Sequence, residues 1–510
     1  MIQKKINTAL VRPVFAVQYK QSVHLNAEAR KTQQTLLGYL LKQGAKTAFG
    51  EAHGLGGIRN YEEFRERVPL NTYDDIKPWI DRARMGEESV LWPGHTHWFA
   101  KSSGTTNDKS KFIPITEEGL QNIHYAGSKD TVAYYLHNNP GSHVMDGKAL
   151  ILGGSFDTSA ATATSRAGDL SAVLISQISK LANLIRIPSK EIALLPDFEE
   201  KRHRIALTAM KQNVTSLSGV PSWMLSTLSH MLELAGTDKL DDIWPNLEVF
   251  WHGGVAFTPY KKAFNRICTL EGMHYMETYN ASEGFFGLQT DPADHALQLM
   301  ANYGVFYEFL PLKEVGNPHA EAVPMWEVEP GKQYAMVINT TCGLWRYQIG
   351  DTVCFTQKDP YKFYISGRTK SFINAFGEEL MVDNAEKGLH EACLQTGAEV
   401  REYTAAPVFM DSEAKGRHQW VIEFRKEPES VEAFAEALDE ALRRINSDYD
   451  AKRYKDISLQ RLEIVKAERG LFDRWMKQRG KLGGQHKVPR LCNDRKLIDQ
   501  ILTLIGENRQ

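Results

Sequence analysis

The chain has 510 residues, 42% hydrophobic and 24% charged, with 61 basic against 63 acidic side chains and a formal charge of -2. That length exceeds one ordinary core, so two domains of unequal size are expected, and the near-neutral balance supplies no basic surface for nucleic acid. No stretch approaches the ~18 uninterrupted apolar residues of a membrane span, and the run from Ala9 to Val17, broken by Arg12 and Pro13, lacks the cleavage site of a secretion signal.

From Leu25 to Thr47 the apolar spacing predicts a helix. Val68 to Asp75 reads as a short strand, a turn and a helix start, with Thr72 as cap and Asp74 and Asp75 favoured in the first turn. A strand over Thr96 to Ala100 leads into a polar loop, and Lys111 to Ile115 follows as another strand. Ser155 to Ser165 is small and polar and reads as a mobile loop. Strands at Ala149–Leu152, Val214–Leu217 and Leu247–Trp251 alternate with helical stretches at Trp223–Ala235 and Pro259–Leu270, which predicts parallel α/β layers. Tyr334–Asn339 and Thr352–Thr356 read as antiparallel strands around a turn.

Beyond Ile365-Ser366-Gly367-Arg368 two long charged helices, around Asn384–Thr396 and Ser430–Asn446, alternate with strands such as Gln419–Phe424. The expected division is therefore a large domain over 1–365 and a small α+β domain over 366–510. Cys268, Cys342, Cys354, Cys393 and Cys492 are widely spaced with no C-x-x-C pair, and read as reduced thiols of a cytoplasmic protein.

The chemistry-bearing segments each leave two readings open. Ser102-Ser103-Gly104-Thr105-Thr106, with Lys109 and Lys111 close by, is rich in hydroxyl and amide donors with little bulk, which suits either a phosphate cradle or an ordinary polar turn. In Glu277-Thr278-Tyr279-Asn280-Ala281-Ser282-Glu283, Tyr279 either stacks on a base or sits in the core, and Glu283 either holds magnesium or caps a helix. The same segment nearly matches the nucleophile elbow G-x-S-x-G, but Asn280 stands where the first glycine belongs. In Trp345-Arg346-Tyr347-Gln348-Ile349-Gly350-Asp351 the aspartate suits ribose hydroxyls or a turn. Arg368, Lys370 and the Gly-flanked Lys487 are cations able to meet phosphate. There is no G-x-x-x-x-G-K-[ST] loop, His390-Glu391 has no second histidine at zinc-protease spacing, and His252 receives no proton-transfer role.

In their order along the chain, from Arg67-Val68-Pro69-Leu70-Asn71-Thr72-Tyr73-Asp74-Asp75 to Gly484-Gln485-His486-Lys487-Val488-Pro489-Arg490, these stretches resemble the acyl-adenylating superfamily. More closely they are similar to the Gretchen Hagen family of acyl acid amido synthetases, best known as plant auxin-responsive enzymes. The resemblance implies an α/β fold: a large adenylate-forming domain of layered sheets and helices with a β-barrel-like portion, and a small mobile C-terminal domain hinged near Lys370. It implies ATP and magnesium, a small carboxylic acid activated as acyl-AMP, and an amine acceptor, an amino acid. The same adenylate passed to coenzyme A is the rival, and a non-catalytic sensor of the same fold is another.

By the same resemblance Ser102 to Thr106 and Lys111 hold phosphates, Gly253, Gly254 and Val255 line the adenine, and Tyr279 stacks on it. Ser282 and Glu283 meet the α-phosphate and magnesium, Asp351 takes the ribose, and Arg368 lies beside the nucleotide. Lys370 marks the hinge and Lys487 approaches the reacting carboxylate. Val220, Ser222 and Trp223 are placed in the acyl pocket. Asn107 departs from the superfamily loop, which commonly has glycine there.

Overall fold

The structure, a computed structural model, describes residues 7–102, 111–255, 257, 260–317, 319–369, 372–378, 380–410, 415–454, 459–479 and 488–507. Its frame is a mixed twelve-stranded sheet. Five strands, Arg186–Ile187, Lys148–Ile151, Val214–Gly219, Val249–His252 and His274–Ala281, lie parallel in that spatial order. Parallel neighbours need crossovers, which the helices Phe198–Ala209, Pro221–Ala235 and Lys261–Ile267 provide. Pro221 opens the second of these and Gly236, at φ 70°, closes it, a preference set by proline's fixed φ and glycine's access to the left-handed region.

At His274–Ala281 the sheet changes character and continues antiparallel through Gly284–Asp291, Asp294–Leu299, Tyr361–Arg368, Tyr347–Lys358, Gln333–Thr340 and Val305–Pro311 to Val323–Pro324. The antiparallel pair expected near 334–356 is part of this run. The barrel-like portion is not closed among the described residues: the strand order has two ends, at Arg186–Ile187 and Val323–Pro324.

Two local expectations change. The helix read over Leu25–Thr47 is two helices, Thr8–Ala27 and Ala29–Gly44, separated at Glu28, and the first absorbs the run from Ala9 to Val17 together with Pro13. The stretch Ser155–Ser165 is tied down. Phe156–Asp157 joins a four-stranded sheet with Trp98–Ser102, Lys111–Ile115 and Arg166–Gly168. Asp157 Oδ1 accepts from the Ser159 and Ala160 amides, and Asp157 Oδ2 accepts from Lys101 Nζ at 2.8 Å. Side-chain bonds to local backbone order this segment, and its Phe156 and Ala160 pack against the core.

The motif at 67–75 and the motif at 344–351 prove to be one structural unit. The Asn71 amide donates to the Arg346 carbonyl and Gln348 N–H to the Asn71 carbonyl, both at 2.8 Å, forming a lone parallel bridge. Thr72 and Asp75 then cap the helix Tyr73–Arg84, which buries Tyr73, Ile76, Ile80 and Ala83 on one face. Beneath them Glu308 and Arg346 are buried together, the Arg346 Nε 3.1 Å from both carboxylate oxygens. Tyr61 Oη and Asn339 Nδ2 also donate to Glu308, while Arg346 Nη1 donates to the carbonyls of Arg65 and Val68.

The C-terminal part is a three-stranded sheet, Glu399–Val408, Arg417–Lys426 and Glu463–Ala467, carrying the helices Val382–Thr396 and Val431–Ile445. Phe376, Trp420 and Leu438 share a continuous apolar core with Leu217, Met224 and Phe264 of the large part. Across the junction, Lys452 Nζ lies 3.9 Å from the Trp223 ring centroid and Tyr260 Oη donates to the Ala375 carbonyl.

Removing one partner of a buried, hydrogen-bonded ion pair leaves an uncompensated charge. Glu308→Ala is expected to cost about 3–5 kcal/mol, read by chemical denaturation followed through tryptophan fluorescence. A loss below about 1 kcal/mol would mean the pair carries no such burden.

Candidate functional site

The parallel strands end on a cleft of about 1850 Å³, at the carboxyl ends where open α/β sheets bind ligands. Gly253 and Gly254 follow the strand Val249–His252 at its rim. A Cβ on Gly253 would lie 2.3 Å from the Thr278 carbonyl oxygen, and Gly254 has φ 82°, so both positions exclude a side chain. Val255 comes next and also lines the cleft.

The neighbouring strand His274–Ala281 turns through Ser282 and Glu283 into Gly284–Asp291. Glu283 therefore stands on a hairpin turn and does not cap a helix, because the next residues pair back antiparallel. Ser282 and Glu283 both line the cleft. Tyr279 has its ring in the core, edge-on to Phe286 at 4.9 Å, and donates its hydroxyl to Asp351 Oδ2. Burial and the adjacent Asp351 carboxylate hold its phenol protonated, far above the ordinary range.

Asp351 is in the interior of the strand Tyr347–Lys358, directly opposite Arg368, whose Nε donates to Asp351 Oδ1. Tyr279, Asp351 and Arg368 thus form one connected group on the cleft wall. Ser102 and Lys111 are register partners at the ends of the strands Trp98–Ser102 and Lys111–Ile115. Both face the same cleft, and the Phe112 amide is fixed by the Tyr73 hydroxyl at 2.8 Å.

Val220 and Trp223 line the cleft as well. Ser222 does not: it is fully buried, its Oγ 3.5 Å from the Phe376 carbonyl at the junction with the C-terminal part. Ser103, Gly104, Thr105, Thr106, Lys109, Lys370 and Lys487 lie outside the described residues.

Two cleft groups receive no role from the sequence, Glu277 at the head of the 277–283 segment and His252. Glu277 lines the cleft, its amide accepted by Gln289 Oε1 at 3.0 Å, and burial pushes its carboxyl up to about 7. His252, its cross-strand partner, is buried against Phe257 in a stack of 4.1 Å. Burial, helped by nearby His295, drops its pKa to about 3, so it stands neutral. Strand alternation held the only signal for these two: each is a polar residue where a buried strand face would otherwise be apolar.

Among the described residues no cluster of three or more His, Cys, Asp or Glu side chains could hold a metal, and no helix is long and apolar enough to cross a membrane. A single carboxylate on the cleft wall, such as Glu283, fits magnesium, which takes one or two carboxylates plus substrate phosphates and water.

A carboxyl raised from 4.5 to about 7 stabilises the folded state fully below pH 4.5, and that contribution is lost as pH rises through 7. Glu277→Gln is therefore expected to remove a stability decline on the order of 3 kcal/mol between pH 5 and 8. Unfolding curves at several pH values read it; identical slopes for both proteins would contradict the assignment.

Comparison with known proteins places this chain in a family. The model of the GH3 family N-terminal domain matches residues 18–271, the central domain 298–368 and the C-terminal domain 383–496. Indole-3-acetic acid-amido synthetase GH3.3 of Arabidopsis thaliana is 25% identical, covering 90% of this chain and 88% of that protein. Jasmonoyl--L-amino acid synthetase GH3.5 of Oryza sativa subsp. japonica is also 25% identical, covering 95% of each. Among solved structures, AtGH3.15 acyl acid amido synthetase in complex with 2,4-DB aligns over 96% of this chain and 95% of its own, at a TM-score of 0.61 and 19% identity. The fold is also shared with 2-hydroxyisobutyryl-CoA ligase, at a TM-score of 0.52, 13% identity and coverage of 99% and 94%. Matched by all three domain models in chain order along most of its length, this chain belongs to the GH3 family.

Proposed function

We propose that this chain is an ATP-dependent acyl acid amido synthetase that activates a carboxylic acid as acyl-AMP and passes the acyl group to an amino acid. The observation that carries the reading is the convergence in one cleft of Ser102, Lys111, Ser282 and Glu283 with the Tyr279–Asp351–Arg368 group. The relatives named for joining indole-3-acetic acid or jasmonate to amino groups support the choice of an amine acceptor.

A carboxylate resists nucleophiles because its leaving group would be oxide. One of its oxygens therefore attacks the α-phosphorus of ATP, the bond to pyrophosphate breaks, and the mixed anhydride acyl-AMP forms. The amine nitrogen then attacks the acyl carbon and AMP leaves. Two anions must meet in the first step, so prearranged donors and cations do most of the work. Ser102 through Thr106 and Lys111 hold phosphate oxygens, Ser282 faces the α-phosphate, and Asp351, oriented by Arg368 on one oxygen, accepts from the ribose. Gly253, Gly254 and Val255 lie flat enough for adenine to pass, and Tyr279 supports that wall from the core. Val220 and Trp223 border the acid. Glu283 would hold magnesium, which when bound neutralises phosphate charge.

In this reading the chain divides into 1–365 and 366–510. The smaller part pivots near Lys370 so that Lys487 approaches the carboxylate and α-phosphate in the first step and withdraws for the acceptor in the second. The protein works in the cytoplasm, where its five free cysteines stay reduced.

Acid-dependent exchange of labelled pyrophosphate into ATP tests the first half-reaction, and product mass after adding amino acids or coenzyme A identifies the acceptor. Exchange is expected with at least one acid of a broad panel, and an amide as the product. Lys487→Ala, still folded, should slow exchange by at least ~10²-fold. Silence across the panel would sink the proposal, and unaltered exchange in the variant would remove Lys487 from the step.

A further inference from the structure

The parallel sheet presents two faces to its surroundings. On one face, Ala149, Ile151, Ser216, Ser218 and Trp251 form a floor of mostly small side chains that lines the cleft. They belong to one face because Ala149 pairs with Ser216, Ile151 with Ser218 and Ser218 with Trp251. Arg186, on the edge strand, is the register partner of Ala149, so it continues this face at its outer margin. It too lines the cleft.

Arg186 is 4% exposed. Its Nε and Nη2 donate to Asn183 Oδ1, at 3.3 and 2.8 Å, and its Nη1 is buried with no hydrogen-bond partner. Among the described residues no carboxylate pairs with it, and burial alone pulls its pKa down with nothing opposing. The other deeply buried arginines are compensated: Arg346 faces Glu308 and Arg453 faces Asp439. A guanidinium stays charged in a protein, and an isolated buried charge is costly. Arg186 departs from the rule, and it does so on the wall of the substrate cleft. Trp251, on the same floor, adds a second buried N–H without a partner.

We propose that Arg186 binds a second carboxylate on the acid substrate, so that the preferred acid is an α,ω-dicarboxylate whose reacting end lies at the carboxyl ends of the strands. This rests on the adenylation reading. Arg186 is level with Ala149, three residues back from Leu152, the first residue beyond that strand and part of the cleft lining, which at ~3.3 Å per residue puts the two carboxylates on the order of 10 Å apart. A chain of roughly eight carbons spans that distance, and the floor of small side chains accommodates its methylenes. The planar fork of arginine matches a carboxylate with two parallel hydrogen bonds, which a lysine cannot reproduce.

The test compares octanedioate with octanoate, without any amino acid present, in the wild-type protein and in Arg186→Met and Arg186→Lys. In pyrophosphate exchange, wild type is expected to favour octanedioate by at least about tenfold in kcat/KM, Arg186→Met to reverse that order, and Arg186→Lys to restore part of it. In parallel, thermal unfolding without ATP should show octanedioate raising the midpoint of wild type and not of Arg186→Met, whose ligand-free midpoint should equal or exceed that of wild type.

Exchange with both acids and no preference in wild type overturns the inference and leaves adenylation standing. No exchange with any acid, alongside Arg186-dependent octanedioate binding, keeps the carboxylate site and removes adenylation. If Arg186→Met binds octanedioate as wild type does but raises the KM of the acceptor amino acid, the guanidinium serves the acceptor's carboxylate, and the donor assignment falls.

Discussion

The buried pair Glu308–Arg346 is the constraint on which the rest of the site is hung. Both side chains are cut off from water, so each needs its full set of partners, and those partners come from four separate stretches of chain. Tyr61 and the carbonyls of Arg65 and Val68 arrive from the N-terminal region, Glu308 and Asn339 from two adjacent strands, and Arg346 from the turn between strands. Arg346 also has φ 42°, a conformation that a side chain bearing a Cβ adopts only when its surroundings hold it. The same hydrogen bonds supply that hold: its amide donates to Asn339 Oδ1 at 2.7 Å, and its carbonyl accepts from Asn71. Five residues later the same strand delivers Asp351 to the cleft. The position of the Asp351 carboxylate on the cleft wall is therefore set by a charge pair that does not line the cleft.

Within the cleft, charge is arranged in two ways. Asp351 is engaged on both oxygens, by Tyr279 and by Arg368, which fixes its orientation before anything binds. His252 is instead kept neutral by burial, and burial raises Glu277 to about 7, so that it holds its proton below neutral pH; among the described residues no ion pair holds a charge on either. A wall with little fixed charge beside a preset ionic group suits a reaction in which two anions must approach, because low polarity around the few cations strengthens their pull.

Much of this fold could be read from sequence because its signals are local. The helical stretch Trp223–Ala235, the Thr72–Asp75 cap, and the paired strands near 334–356 all follow from residues that touch their sequence neighbours. The site was legible as an ordered set of motifs. The duties of individual residues were less so. Arg346 stood in a motif whose aspartate drew attention, yet its partner Glu308 is 38 residues away and nothing in periodicity points there. Asn71 has the same history: a turn residue in the sequence, and in the structure the bridge that joins two motifs. Ser222 failed as a pocket residue because the helix Pro221–Ala235 turns that position toward Phe376, a contact that exists only once the C-terminal part has packed. For Glu283 the sequence left a helix cap open, because helix and hairpin both begin with small polar residues, and the antiparallel return of Gly284–Asp291 removes that alternative.

That return also explains why the site lies where it does. Strands running parallel must each be followed by a crossover, so their carboxyl ends carry only the first residues of a loop, as Gly253 and Gly254 show. A tight hairpin at the same edge is possible only where the sheet switches to antiparallel. The switch occurs once beside the parallel set, at His274–Ala281, and its turn is Ser282-Glu283. A glycine turn without side chains and a hairpin turn that carries a hydroxyl and a carboxylate are thereby forced to be neighbours. The antiparallel continuation then brings Asp351 and Arg368 to face Tyr279 from the other side. The four segments lie far apart in the chain, and it is the single change of strand direction that makes them one surface.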